Sequence, residues 1–180
     1  KTHLELKISK DLLKSKNEQL KELAITDSMT GLYNHRYIID NLVERISEAK
    51  RYKQLLTVAM LDIDFFKKVN DVHGHLFGDF VLVRISTIIE ESIRKTDIAG
   101  RYGGEEYLII FTHTDKKSAF ITLERIRKSV EKEKWDKKDL EVTISGGLSD
   151  LKDEDHSELI KKADELLYKA KENGRNRNEI

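Results

Sequence analysis

Three clusters of residues in this chain have the types and spacing to handle a metal ion and a phosphate-bearing ligand. The first is Leu61-Asp62-Ile63-Asp64-Phe65-Phe66-Lys67, at the end of a continuous apolar run that begins at Leu55. A buried strand that ends in carboxylates delivers them to the edge of a sheet. There, hard divalent cations such as Mg²⁺ are held by one or two carboxylates together with substrate phosphates. Lys67, a few residues past Asp62, adds a cation beside any bound phosphate. Asp64 has a second reading, as the cap of a following helix.

The second cluster is Gly103-Gly104-Glu105-Glu106-Tyr107. Two glycines permit positive φ and a close approach of backbone to a phosphate lying over the turn. Glutamates after a tight turn are often only solvated. Taken with Asp62, they make a pair of carboxylates on neighbouring strands, the arrangement that holds metals in phosphoryl-transfer sites. The third cluster is Asn70-Asp71-Val72-His73-Gly74-His75-Leu76-Phe77-Gly78-Asp79. It reads as a loop shaped by two glycines, with Asn and Asp side chains able to bond the edge of a purine base; alternatively it is a loop ending in a cap at Asp79. His73-x-His75 alone lacks the further ligands that zinc requires.

The elements that must position these clusters follow from hydrophobic periodicity. Residues 1–24 form a polar helix with Leu6, Leu13 and Leu20 seven apart, followed by Leu23. The positions between them are Ser9 and Lys16, so the seam would make a weak coiled coil, or else a helix that packs on its own domain. Thr26-Asp27-Ser28-Met29-Thr30-Gly31 marks a turn and the boundary of a domain covering 25–180. Beyond it the pattern predicts helices over about 36–52, 76–93, 118–132 and 157–172, the last closed by Gly174. Strands are predicted over 55–63, 98–102, 107–111 and 142–149, with 98–102 and 107–111 forming a hairpin turned at Gly103-Gly104. Helices alternating with strands in this order predict an α/β (α+β) sandwich whose central sheet is mainly antiparallel and flanked by helices.

The chain has 180 residues, with 33 Lys+Arg balanced by 33 Asp+Glu, and neither Cys nor Pro. That balance argues against binding to a nucleic acid polymer through an overall basic field. The absence of cysteine excludes a disulfide framework, a thiolate nucleophile and a sulfur-based zinc site, so any metal sits on oxygen or imidazole. No apolar run approaches the roughly 20 residues needed to cross a bilayer. The expected setting is cytoplasmic, with a membrane involved only through a segment preceding Lys1.

The motifs together resemble the GGDEF family of diguanylate cyclases. The resemblance runs from Asp27-Ser28-Met29-Thr30-Gly31-Leu32-Tyr33-Asn34, through the run from Asp62 to Asp79 and Arg101-Tyr102-Gly103-Gly104-Glu105-Glu106-Tyr107, to Tyr168-x-Ala170-Lys171-x-x-Gly174-Arg175-Asn176. Ser28 stands where the family often has proline, and Tyr107 where it has phenylalanine. The resemblance implies a palm-like fold related to adenylyl cyclases, and an enzyme that condenses two GTP into cyclic di-GMP. It further implies that Asp62, the Ile63 carbonyl and Glu105 hold Mg²⁺ or Mn²⁺, with Glu106 beside them. Glu105 is the family's candidate proton acceptor. Lys67, Lys171 and Arg175 would attend the phosphates, Asn70 and Asp79 the guanine. His75, Phe65, Phe66, Gly103 and Gly104 belong to the substrate-binding segments. Arg94-Lys95-Thr96-Asp97, five residues before Gly103, matches the family's inhibitory product site, although Arg-x-x-Asp also reads as a charged helix end. Two domains facing each other are required, hence a homodimer set by the leading helix. A second class of function is a catalytically silent module that senses cyclic di-GMP or GTP; the intact set of Asp62, Glu105 and Lys67 argues for the enzyme.

Overall fold

A computed structural model describes residues 3–137 and 140–180, and within the first helix the side chains of 3–5, 15 and 17–23 lie outside the description. Helix α1 covers His3–Ile25. Leu6 and Leu13 of its heptad seam are exposed, while the side chains of Leu20 and Leu23 are among those not described. Asn34 then starts α2 (His35–Tyr52): its side chain accepts the Tyr37 N–H at 3.0 Å and its amide donates to the Ala24 carbonyl at 2.9 Å. One residue thus caps α2 and fastens the end of α1 to it.

Strand β1 (Leu56–Ile63) is buried along its whole length, as expected of a continuous apolar run covered on both faces. After α3 (Phe66–His73) and α4 (His75–Ser92) come β2 (Ile98–Gly103) and β3 (Glu106–Thr112). Helix α5 (Lys116–Lys132), β4 (Ile144–Asp150), α6 (His156–Glu172) and the short β5 (Asn178–Glu179) complete the chain. The sheet order is β2-β3-β1-β4-β5, antiparallel except for the β4–β5 pair. The predicted mixed α/β class with a mainly antiparallel sheet is therefore what the chain adopts.

Alternation along the strands divides the core in two. Ala59, Leu61 and Ile63 of β1 and Tyr107, Ile109 and Phe111 of β3 pack with Val81, Ile85 and Ile89 of α4 and Leu123, Ile126 and Val130 of α5. Val58 and Met60, with Leu108 and Ile110, face Ile38, Leu42 and Ile46 of α2 and Leu159, Ala163 and Leu167 of α6. Each fully buried aliphatic side chain contributes about 1.5–3 kcal/mol, so the two layers fix the position of β1 from both sides. Gly147 of β4 permits the closest of these contacts: a Cβ there would stand 2.2 Å from the Ala163 carbonyl oxygen and the Leu167 nitrogen.

Two expectations are corrected. The segment Asn70–Asp79 is not a loop but the corner between α3 and α4, with Gly74 at φ 84° as the only break. Asp79 lies inside α4 and caps nothing. Gly78 also lies inside α4, where its purpose is space: a Cβ would fall 1.8 Å from Asn70 Oδ1. The hairpin turn is Gly104-Glu105, one residue later than expected, and neither Gly103 nor Gly104 has positive φ. Among the described residues no helix is long and apolar enough to cross a membrane.

Candidate active site

The register of the sheet builds the site. Asp62 pairs with Glu106 on β3 and with Ser145 on β4, and Ile63 N–H donates to the Glu105 carbonyl at 3.3 Å. The end of β1 therefore meets the Gly104-Glu105 turn, bringing Asp62, Ile63, Glu105 and Glu106 together. The turn is held from outside by Arg101, whose Nε and Nη2 donate to the Gly104 carbonyl at 3.0 and 2.8 Å. Arg101 Nη1 also reaches Asp27 Oδ1 at 3.3 Å, so the turn and the segment after α1 share one guanidinium.

Like charges directly opposite on adjacent strands repel, and the carboxylates show it. Burial pushes the Asp62 pKa up to about 6, and Glu105 and Glu106 add to the rise, even though Lys171 Nζ stands 2.9 Å from Asp62 Oδ2 and opposes it. Glu106 is also raised, first by burial, then by Asp164 and by Glu105, with Lys171 opposing. A half-buried cluster with surplus negative charge and only oxygen donors suits a hard divalent cation, Mg²⁺ or Mn²⁺. Among the described residues no three acidic or imidazole side chains form a complete metal cage. Mg²⁺ bound through one or two carboxylates plus substrate phosphates needs none.

The other residues singled out in the sequence lie on α3, on α4 and on the segment after α6. Lys67 is exposed in the first turn of α3, directly after the β1 carboxylates. Asn70, half-buried, rests its side chain in the space left by Gly78, next to Asp79. His75 is exposed at the start of α4. Phe66 is buried in the core, whereas Phe65 is exposed, adopts φ 55° and lies under the Arg175 guanidinium at 4.4 Å from its ring centre. Gly103 ends β2 and Gly104 opens the turn. Arg94 and Asp97 are not brought to this cluster; they lie at the other end of β2, beside a cleft of about 440 Å³ that includes Glu90 and Thr26. Asp97 there accepts the Arg94 N–H at 3.0 Å and the Thr112 N–H at 3.3 Å, so it also ties the end of α4 to β3.

Several residues of the site escape sequence reasoning. Asp64 does not cap α3: Phe65 occupies that position, and Asp64 instead accepts from Thr143, Ser145 and the Asn176 N–H. Arg101 and Asp164 act through tertiary proximity, for which the local sequence carries no signal beyond the charge itself. Tyr107 keeps its hydroxyl satisfied, donating to the Leu82 carbonyl at 3.1 Å, which explains why it is tolerated in place of phenylalanine.

Comparison with known proteins bears on the family and the fold. A family model described as "Diguanylate cyclase, GGDEF domain" matches residues 24–177. Diguanylate cyclase A of Treponema denticola is 42% identical over 170 residues, covering 89% of this chain and 45% of that protein. Response regulator PleD of Caulobacter vibrioides is 37% identical over 182 residues, covering 98% of this chain and 40% of that one. The chain thus spans less than half the length of these relatives. Among solved structures, the coiled coil and GGDEF domain of DgcB from Caulobacter crescentus, in complex with c-di-GMP, superposes with a TM-score of 0.90. It is 30% identical, with 99% of each chain covered.

Proposed function

The chain belongs to the GGDEF family of diguanylate cyclases, and from that membership we propose that it condenses two molecules of GTP into cyclic di-GMP with release of pyrophosphate. The observation that carries the reading is the convergence of Asp62, Glu105 and Glu106 at the β1–β3 edge, where burial and mutual repulsion raise Asp62 despite its contact with Lys171.

In each of two equivalent steps the 3′-oxygen of one GTP bonds to the α-phosphorus of the other. The bond from that phosphorus to the oxygen bridging to the β-phosphate breaks, pyrophosphate leaves, and the hydroxyl proton passes to a base, for which Glu105 is the candidate. Asp62, the Ile63 carbonyl and Glu105 would hold Mg²⁺ or Mn²⁺, which when bound neutralises charge on the phosphate oxygens. Lys171, paired with Asp62 in the free protein, turns to the triphosphate; Lys67 and Arg175 complement the remaining charge. Asn70 and Asp79 bond the guanine edge, next to His75, Phe65 and Phe66.

Each domain binds one GTP, so both phosphodiester bonds require two domains face to face. The leading helix, residues 1–24, serves as the dimerisation stalk, and Arg94 with Asp97 binds product as a feedback site. The setting is cytoplasmic. Glu105→Ala tests the assignment: cyclic di-GMP formation should fall below detection while the circular dichroism spectrum stays unchanged, and a variant that still turns over GTP removes Glu105 from the site.

A further inference from the structure

Asp64 is more deeply buried than Asp62, at 4% exposure, and none of the roles above uses it. Its carboxylate accepts three hydrogen bonds: from Thr143 Oγ1 at 2.7 Å, from Ser145 Oγ at 2.8 Å and from the Asn176 N–H at 3.0 Å. The first two donors lead into or belong to β4, and the third lies on the turn after α6. That turn is strained. Gly174, Arg175 and Asn176 have φ of 111°, 63° and 47°, three successive left-handed residues of which two carry a Cβ. Such a run persists only where its surroundings over-determine it.

The surroundings here are specific. The Asn176 backbone is held by Asp64, and its side chain accepts from Arg127 Nη1 at 2.7 Å and donates to Glu131 Oε1 at 2.6 Å. Fixing Asn176 fixes its neighbour Arg175, whose guanidinium lies over Phe65, itself left-handed at φ 55° and adjacent to Asp64 in sequence. Two strained backbone segments therefore meet at one cation–π contact.

We propose that Asp64 is a positioning residue: through the Asn176 amide it holds the 174–176 turn so that the Arg175 guanidinium stands ready for the phosphate chain of the substrate. The inference rests on the reading of Arg175 as a phosphate ligand. An acceptor-only side chain suits the task, since three donors converge on its two oxygens.

The test measures the KM for GTP and, at equilibrium with Mg²⁺, the Kd of α,β-methylene GTP, which cannot release pyrophosphate. Arg175→Ala should weaken both by about tenfold or more, the size of one charge-assisted hydrogen bond. Asp64→Ala should do nearly the same with kcat little changed, and the double variant should be no worse than Arg175→Ala alone. Asp64→Asn retains a carbonyl oxygen toward the Asn176 amide and should stay near the wild type. Asn176→Gly, which tolerates the left-handed backbone and keeps the N–H, removes only the tether to Arg127 and Glu131; it should give a smaller loss, again absent in the Arg175→Ala background. If Asp64→Ala fails to fold, Asn176→Gly carries the test alone. Unchanged affinity, additivity with Arg175→Ala, or Asp64→Asn as weak as Asp64→Ala overturns the positioning role while leaving the phosphate reading intact. A wild-type chain that does not bind the analogue, or Arg175→Ala binding it as tightly as wild type, removes that reading and the proposal with it.

Discussion

Replacing Asp62 with Asn should stabilise the metal-free protein while removing its activity. Folding raises the Asp62 pKa from 3.8 to about 6, so the folded state holds this proton more tightly than the unfolded chain does. Stability from this group is therefore fully present below pH 4, falls as pH rises from about 4 to about 6, and stays reduced above. At about 1.36 kcal/mol per pH unit the full difference is about 3 kcal/mol. Glu105 and Glu106, which add to the rise, are only half-buried, so solvent screens their repulsion and the expected effect is about 1–2 kcal/mol. Asn mimics the neutral carboxyl at every pH. At pH 8 in EDTA, Asp62→Asn should melt about 2–8 °C above the wild type, and at pH 4 the two should coincide. Circular dichroism melts from pH 4 to 8 measure the gap directly. With Mg²⁺ and α,β-methylene GTP the order should reverse, because only the wild type gains from the metal. A wild type more stable than the variant at pH 8 in EDTA, or a gap independent of pH, refutes the reasoning.

Three further outcomes follow from close contacts and charge. Gly78→Ala would place a Cβ 1.8 Å from Asn70 Oδ1, and since the end of a side chain can swing away, stability should change by about 1 kcal/mol or less while the KM for GTP rises about tenfold; a normal KM means that Asn70 does not touch guanine. Gly147→Ala meets the backbone of α6 at 2.2 Å, which cannot yield, so urea unfolding should show a loss of about 3 kcal/mol or more. An unchanged midpoint there contradicts the packing of β4 on α6. Arg94→Ala should leave the initial rate intact and relieve inhibition by added cyclic di-GMP about tenfold or more, whereas unchanged inhibition reduces Arg94 and Asp97 to the structural bonds they already make.

The legible parts of this molecule are those whose signal is local. The apolar run from Leu55 announces β1, and the periodicities of α2, α5 and α6 place the ends of these helices within two residues of where they lie. The carboxylates were readable because a strand that is apolar throughout has an obvious end. The α3–α4 corner is not legible, because a glycine signals flexibility in sequence whereas Gly78 is present for the space that Asn70 needs. Asp64 had the local signature of a cap, but its partners are 79, 81 and 112 residues away in sequence. Strand β5 has two residues, too few for any period to show. Glycines at the hairpin turn pointed to the right place for a reason the backbone does not use, since their φ values are negative or extended.

The proposed reaction has this chain form both phosphodiester bonds of cyclic di-GMP from GTP on paired domains. The most direct measurement follows product and pyrophosphate together, by chromatography and a coupled assay, in GTP and Mg²⁺ across a series of protein concentrations. Two pyrophosphates should appear for each cyclic di-GMP, and the rate per domain should rise with protein concentration until dimers saturate. GTP left unconsumed at micromolar protein, or consumed without the cyclic product, contradicts it.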